Sequence, residues 1–450
     1  MKAPIFANIV VISVALFATS LLFYGLTNAV PIYATFSLIA LILCAVISLR
    51  LPVNIRINFA LLLISTASAL LIVELILVST STDDPTAVKL ASAKNLRIPF
   101  DTRSRIQVAR DLRADGLEAF AGGNPAILQA LEPNGNEVVP IAGISDKLTV
   151  YCNETGEFTI YQSDEHGFHN PNGIWGKANI DIVALGDSFV HGACVKSEEN
   201  TVALIREAHP NTLNLGLAGI GPWEQFAIIK EYVQEIEPKV ILWFYYEGND
   251  ILNLQEYDTI PLLKRYVDSD YRQGLMDRQD EIDQTLTTRM DQLLKERTVP
   301  EKGVFSRLGQ PVIDVLTLQS SRIRLRPILG CNHYDPNELL PTFERVLNRS
   351  SEFVDAWGGK LYFVYLPSTL RYLGSPVGCW QKEQLYFSTF QDRFNSIAAD
   401  AGFSIIDIAK VIDAHPDPLS MYPFRSFGHF DADGYELVAE TILRSIEFPE

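Results

Sequence analysis

From Ile5 to Leu49 the chain carries no charged residue, and Ile57–Val78 carries one, Glu74. Runs like these have no polar face to offer water, so they must end in lipid or in a large protein core. Three segments, Ile5–Leu26, Ile32–Leu49 and Ile57–Val78, each come near the roughly 20 residues that cross a hydrocarbon layer. Asn28 and Pro31 separate the first from the second, and Pro52 and Asn54 the second from the third. The expectation is three transmembrane helices. A cleaved signal peptide fits poorly: its basic region would hold only Lys2, and two more apolar runs come after it. Lys2, Arg50 and Arg56 flank the helices on one side, while the turn Thr27–Pro31 has no cation. The positive-inside rule then keeps the N-terminus in the cytoplasm and places the chain beyond Thr80 outside a cell (inner) membrane. Glu74 lies within about one helical turn of the third segment's end and reads as an interfacial carboxylate reaching for water.

The remainder of the 450 residues is acidic, and the net charge is -17. That argues against a nucleic-acid partner, which needs a Lys/Arg surface to neutralise phosphates. Five cysteines are present. Cys44 sits in an apolar run as a small hydrophobe. Cys152, Cys194, Cys331 and Cys379 fall in the extracytoplasmic part, where two disulfides in any of three pairings are allowed. The expected pairs are Cys152–Cys194 and Cys331–Cys379. The first would pin the segment before the main domain to the loop just after Ser188. No cysteine spacing resembles a zinc site, and His166 and His169 form an H-x-x-H pair with no third ligand. No metal is expected.

Three regions emerge: an apolar anchor over 1–80, a linker with a small α+β part over 81–178, and a main domain over 179–450. Thr80–Phe100 reads as linker, Arg103–Leu117 as a charged helix, and "LTVYCNETGEFTIY" (Leu148–Tyr161) as a hairpin around "NETG". From Ile180 strands and helices alternate. "IDIVAL", "TLNL", "KVILWFYY", "KLYFVYLP" and "FSIIDI" are short apolar runs. "EENTVALIREAH", "EQFAIIKEYVQEI" and "DGYELVAETILRSI" have helical periodicity. Continuous apolar strands between helices imply a mostly parallel sheet covered on both faces, hence a three-layer α/β/α domain of flavodoxin-like type. A helical insertion over about 251–350 contains the charged stretch Leu275–Arg297.

In such a sheet, ligands bind beyond the carboxyl ends of the strands. Strand ends here carry Gly186-Asp187-Ser188, "NLGLAGIGP" (Asn214–Pro222) and "YYEGND" (Tyr245–Asp250), and "RSFGHFDADGYELVAE" (Arg425–Glu440) precedes the last helix. "GLAGIG" lacks the G-x-G-x-x-G spacing of a dinucleotide loop. In order, these four stretches resemble the blocks of the SGNH branch of the GDSL esterase/lipase family. Ser188 matches its nucleophile, Gly219 and Asn249 its oxyanion residues, and His429 its base. The resemblance spans about 180–446. It implies ester hydrolysis without a cofactor, often of acyl groups on sugars or lipids.

The residue chemistry points the same way. A serine hydroxyl is a weak nucleophile until a base takes its proton, and His429 has an imidazole suited to that task. The Ser188 and Gly219 amides and the Asn249 side chain would stabilise the oxyanion. One position departs from the family: Ser426 stands where an aspartate three residues before the histidine usually orients the imidazole. Asp431 and Asp433 read as caps of the next helix. Asp417, Ser426 or a backbone carbonyl are the remaining candidates for the orienting group. The expectation is a membrane-anchored ester hydrolase acting on an acylated envelope glycan or a lipid. Two alternatives stand beside it. One is an O-acyltransferase acting on a surface glycan with a separate membrane acyltransferase as partner. The other is a non-catalytic tethered binding or assembly protein with a degenerate site.

Overall fold

The computed structural model describes residues 3–27, 32–80, 85–122, 138–177, 179–258, 260–296, 321, 336–373, 379–426 and 428–448. They divide into two compact units, Met1–Ser81 with Lys302–Arg326 and Thr82–Glu301 with Pro327–Glu450.

In the first unit the apolar runs form α1 (Ala3–Thr27), α2 (Ile32–Ser48) and α3 (Val53–Thr80). Small residues allow close approach: Ala7 and Val11 of α1, Ala45 of α2 and Ala60 of α3 bury one another. Arg56, in the first turn of α3, donates to Asn8 Oδ1 at 2.8 Å. Leu61, Leu62, Ile72, Leu75 and Ile76 of α3 are exposed, as side chains facing lipid would be. Among the described residues one helix, Val53–Leu77, is long and apolar enough to cross a membrane, and Pro4–Leu16 is a shorter apolar helix. The expectation of three spans is thereby narrowed to one candidate span beside two further apolar helices. Glu74 does not reach for water. It is fully buried, and its Oε2 accepts from the Ser321 amide at 2.8 Å and the Ser321 hydroxyl at 2.5 Å. A carboxyl in an apolar helix is costly without partners, and Ser321 supplies two donors.

The second unit begins with α4 (Pro85–Leu96), where a linker was expected over Thr80–Phe100. Proline at the first helical position, good helix formers after it and Lys94 in the last turn account for the difference. Next comes α5 (Arg105–Ala114), started by a Ser104–Gln107 capping box. A small sheet comes next, of β1 (Ala119–Ala121), β2 (Leu148–Val150) and β3 (Ile160–Gln162). Strands β2 and β3 pair antiparallel across the "NETG" segment, and β1 adds in parallel.

The main sheet contains β4 (Ile182–Leu185), β5 (Thr212–Asn214), β6 (Val240–Tyr246), β7 (Lys360–Leu366) and β8 (Ser404–Asp407). Its order is β5-β4-β6-β7-β8, with every neighbour parallel. This is the expected doubly wound parallel arrangement, with its switch point where β4 meets β6. Alternate side chains enter opposite faces. Ile182, Ala184, Leu242, Phe244 and Val364 pack with Val202, Ile205, Tyr435, Val438 and Ile442. Val183, Leu185, Trp243, Tyr245 and Phe363 pack with Trp223, Phe226, Tyr232, Phe343 and Val346. Between β6 and β7 the chain forms the helices Asp250–Tyr257, Pro261–Asp268, Gln279–Glu296 and Pro336–Asp355. Leu262, Tyr266, Leu340 and Phe343 from this region belong to the main core, so it is not merely a cover over the domain.

A disulfide joins Cys152 to Cys194, 42 residues apart. Cys331 lies outside the described residues, and with it the second expected pair, Cys331–Cys379. A cross-link over this span restricts the unfolded chain by about 4 kcal/mol in the loop-entropy treatment. The Cys152→Ser/Cys194→Ser variant is therefore expected to melt several degrees lower by calorimetry. An unchanged melting temperature would show that the cross-link contributes no stability.

Candidate active site

Strand β4, buried on both faces, delivers Gly186-Asp187-Ser188 to the carboxyl edge of the sheet. The turn there is tight. A Cβ on Gly186 would lie 2.5 Å from Val190 Cγ2 and 2.9 Å from Phe244 Cβ. Asp187 caps α6 (Ser188–His191) by accepting from the Phe189 amide at 3.0 Å. Gly192, with φ of 85°, ends that single turn in the left-handed region that favours glycine. The nucleophile candidate is thus the first residue of α6, half-buried at the rim.

His429 arrives from the other end of the domain, just before the helix Ala432–Ser445. Its Nε2 lies 2.8 Å from Ser188 Oγ, although 241 residues separate the two in sequence. The Phe189 ring packs 4.9 Å from the imidazole. Asp431 caps the helix, its Oδ1 accepting from the Gly434 amide at 3.1 Å. Asp417 does not face His429: both its oxygens engage the exposed Arg425 guanidinium. The Ser426 amide closes a turn onto the Pro423 carbonyl.

The carboxylate beside His429 is Glu154, from the "NETG" turn. Its Oε2 accepts from the His429 amide at 2.8 Å and lies 3.4 Å from Nδ1. At that length the contact is not a hydrogen bond, and Nδ1 makes none among the described residues. Glu154 Oε1 pairs with Lys89 of α4 at 2.7 Å. Burial pushes this carboxyl up, but the His429 ring and the Lys89 ammonium outweigh it and hold the group at about 2. Gly428 leaves room for the approach, since a Cβ there would lie 2.3 Å from Glu154 Oε2. The turn itself is well tied. Asn153 accepts from the Gly156 amide at 2.8 Å and donates to the Asp101 carbonyl at 3.0 Å, and the Cys152–Cys194 bridge fastens it to the loop after α6. Sequence reading missed Glu154. Its one signal was the expected bridge, which brings an acid two residues from Cys152 toward Ser188. Donor atoms of Glu154, Cys194 and His429 lie within 4.8 Å of one another, but the Cys194 sulfur is committed to the disulfide.

Gly219 and Asn249 follow β5 and β6, the two strands flanking β4, and so reach the same edge as Ser188. The Leu217 amide donates to the Gly186 carbonyl at 3.0 Å, and a Cβ on Gly216 would lie 2.4 Å from the His191 amide nitrogen. The loop carrying Gly219 therefore lies directly on α6. Gly219 itself has φ of 77°, a conformation other residues adopt only with strain. Asn249 begins the turn before the helix Asp250–Tyr257. His191 points inward. It stacks on Tyr151, bonds the Tyr161 hydroxyl at 2.6 Å and accepts from the Ala218 amide. His169 bonds the His191 carbonyl and the Ser197 hydroxyl. Glu247 is held by the Arg371 guanidinium and the Tyr365 hydroxyl.

No family model and no curated protein matches the chain. Solved structures similar to it include a lipolytic protein of the G-D-S-L family from Desulfitobacterium hafniense DCB-2, at 15% identity over 60% of this chain and 100% of that one, with a TM-score of 0.33. Others are an acetylxylan esterase from Geobacillus stearothermophilus (12%, 60% and 95%, TM-score 0.32) and a lipase/acylhydrolase from Enterococcus faecalis (13%, 59% and 95%, TM-score 0.31). At such scores the likeness decides nothing about activity, which is read from the site's own geometry.

Behind the turn lie buried carboxyls. Burial raises Asp187, with partial relief from the Phe189 amide and the His429 ring, and burial and the Asp187 charge raise Asp250 well above the usual range. Burial likewise lifts Glu224, whose Oε2 accepts from the Gly221 amide, from 4.5 to about 8. A carboxyl raised by folding stabilises the fold fully below its unfolded value, and that stabilisation is lost as pH rises through the folded value. Between pH 4.5 and 8, Glu224→Gln is expected to lose less stability than the parent, by on the order of a few kcal/mol. Thermal unfolding across that range reads it, and parallel curves would show that Glu224 titrates normally.

Proposed function

We propose that the chain is a serine-dependent hydrolase of carboxylic esters of the SGNH type. The observation that carries the reading is the 2.8 Å contact between Ser188 Oγ and His429 Nε2, which puts a base within proton-transfer reach of a nucleophile at the rim of the sheet.

The chemical steps are set by that contact. His429 Nε2 takes the Ser188 proton as Oγ bonds to the acyl carbon, and the carbonyl π pair moves onto oxygen. The Ser188 and Gly219 amides and the Asn249 side-chain amide stabilise that oxyanion. When the C–O bond to the alcohol breaks, His429 returns its proton to the departing alkoxide. Water then attacks the acyl-serine with His429 again as base, and the acid leaves.

The chain is further proposed to be held on a cell membrane by the candidate span Val53–Leu77, with this domain on the extracytoplasmic side. A disulfide in the second unit supports that side, because such bonds persist in oxidising compartments. An acylated envelope glycan or a lipid is the proposed substrate class. A non-catalytic reading drew its support from Ser426 in place of the orienting acid, and Glu154 beside His429 weighs against it.

Hydrolysis of 4-nitrophenyl acetate by the full chain in detergent tests the proposal. Ser188→Ala and His429→Ala are each expected to lose at least about 10³-fold in kcat/KM. Equal inertness of the parent and Ser188→Ala across a panel of short and long acyl esters would falsify it. Acyl transfer appearing only when an acceptor sugar is added would turn the assignment to a transferase.

A further inference from the structure

We propose that Glu154 and Lys89 form a positioning pair for His429. Glu154 orients the imidazole, and Lys89 of α4 keeps that carboxylate in place. The pair lies outside the strand-and-helix framework that carries the other candidate residues: Lys89 is in α4, and Glu154 is in the segment between β2 and β3. The inference rests on the hydrolase reading for its catalytic meaning, but its geometry can be tested without that reading.

The imidazole sets the requirement. When Nε2 accepts the serine proton, Nδ1 must already carry one, and an imidazolium needs an anion near Nδ1. The carboxylate oxygen that meets this need is Glu154 Oε2, at 3.4 Å from Nδ1. The same oxygen holds the His429 amide at 2.8 Å, so it fixes the backbone as well as facing the ring. The other acids near the ring cannot serve. Asp187 is turned toward the Phe189 amide and the Ser188 hydroxyl, Asp431 toward the Gly434 amide, and Asp417 toward Arg425.

Lys89 explains why a mostly buried glutamate stays ionised. Its ammonium is 2.7 Å from Oε1 and its side chain is 7% exposed, so the pair is shielded from solvent. Such an arrangement leaves one carboxylate oxygen for the lysine and one for the histidine. Breaking a buried pair leaves an uncompensated charge, so Lys89 is not a passive neighbour. The groups facing Glu154 and His429 from the surrounding elements are Asp187 and His191 around α6 and the phenols of Tyr151, Tyr246 and Tyr435. Of these, only Asp187 adds a further carboxyl, and burial disfavours its charge. The carboxylate that faces the imidazole is therefore Glu154, paired with Lys89.

The two partners carry opposite charges, which gives opposite signs to test. The full chain, with 13C-labelled histidine, is titrated by NMR in detergent, and the His429 signal is identified by its loss in His429→Asn. Glu154→Gln is expected to lower the His429 pKa, because an anion within a few ångströms favours imidazolium. Lys89→Met is expected to raise it, since the carboxylate then acts without its counterion. Glu154→Asp keeps the charge and is expected to recover most of the shift. On 4-nitrophenyl acetate, Glu154→Gln is expected to lose at least about 10²-fold in kcat with little change in KM. An imidazole pKa that does not move in Glu154→Gln, or that moves the same way in both variants, overturns the assignment. A pKa that responds as described in a chain that hydrolyses no ester leaves the positioning pair standing and removes the hydrolase reading instead.

Discussion

A parallel sheet whose two faces are both buried can present chemistry only at its strand ends. Every other feature of the second unit depends on that constraint. Strands β4 and β6, and β7 beyond Lys360, are buried because helices cover both sides. Their backbone order places the ends of β5, β4 and β6 side by side. The switch point falls between β4 and β6, and Ser188 and Asn249 follow the ends of those two strands. The glycines at 186 and 216 are needed because α6 and the loop after β5 pack with no room for a Cβ.

The carboxylate beside His429 comes from outside the main sheet. His429 is brought by the last loop. Lys89 comes from α4 and Glu154 from the small three-stranded region. The Cys152–Cys194 bridge, the Asn153 contacts and the Gly428 gap each serve the same placement. The second unit therefore joins Ser188 and His429, carried by the main domain, to an arm that carries Glu154 and Lys89.

Much of this was legible in the residues. Long apolar runs marked β6 and β7, because a strand buried on both faces needs no alternation. Gly186-Asp187-Ser188 stood out as a sharp stop to such a run, and His429 stood before an obvious helix. The acid beside His429 was not legible. Glu154 lies 275 residues from His429 in sequence, and a glutamate in a turn has no local feature that separates it from any solvated one. The position expected to hold the acid was local, three residues before the histidine, and Ser426 is there. Two further differences have similar causes. The linker expected before Phe100 is α4, because a proline start and helix formers outweighed the look of a connector. Glu74 is buried on Ser321, a partner distant in sequence that no periodicity could reveal.

The central claim is that folding creates an activated serine. Mass spectrometry after brief exposure of the full chain to a fluorophosphonate probe tests it most directly, because the probe needs no knowledge of the substrate. The expected result is a phosphonylated peptide containing Ser188, with labelling lost in His429→Ala. Absence of label at Ser188 in the parent chain, or labelling that persists unchanged without His429, would contradict it.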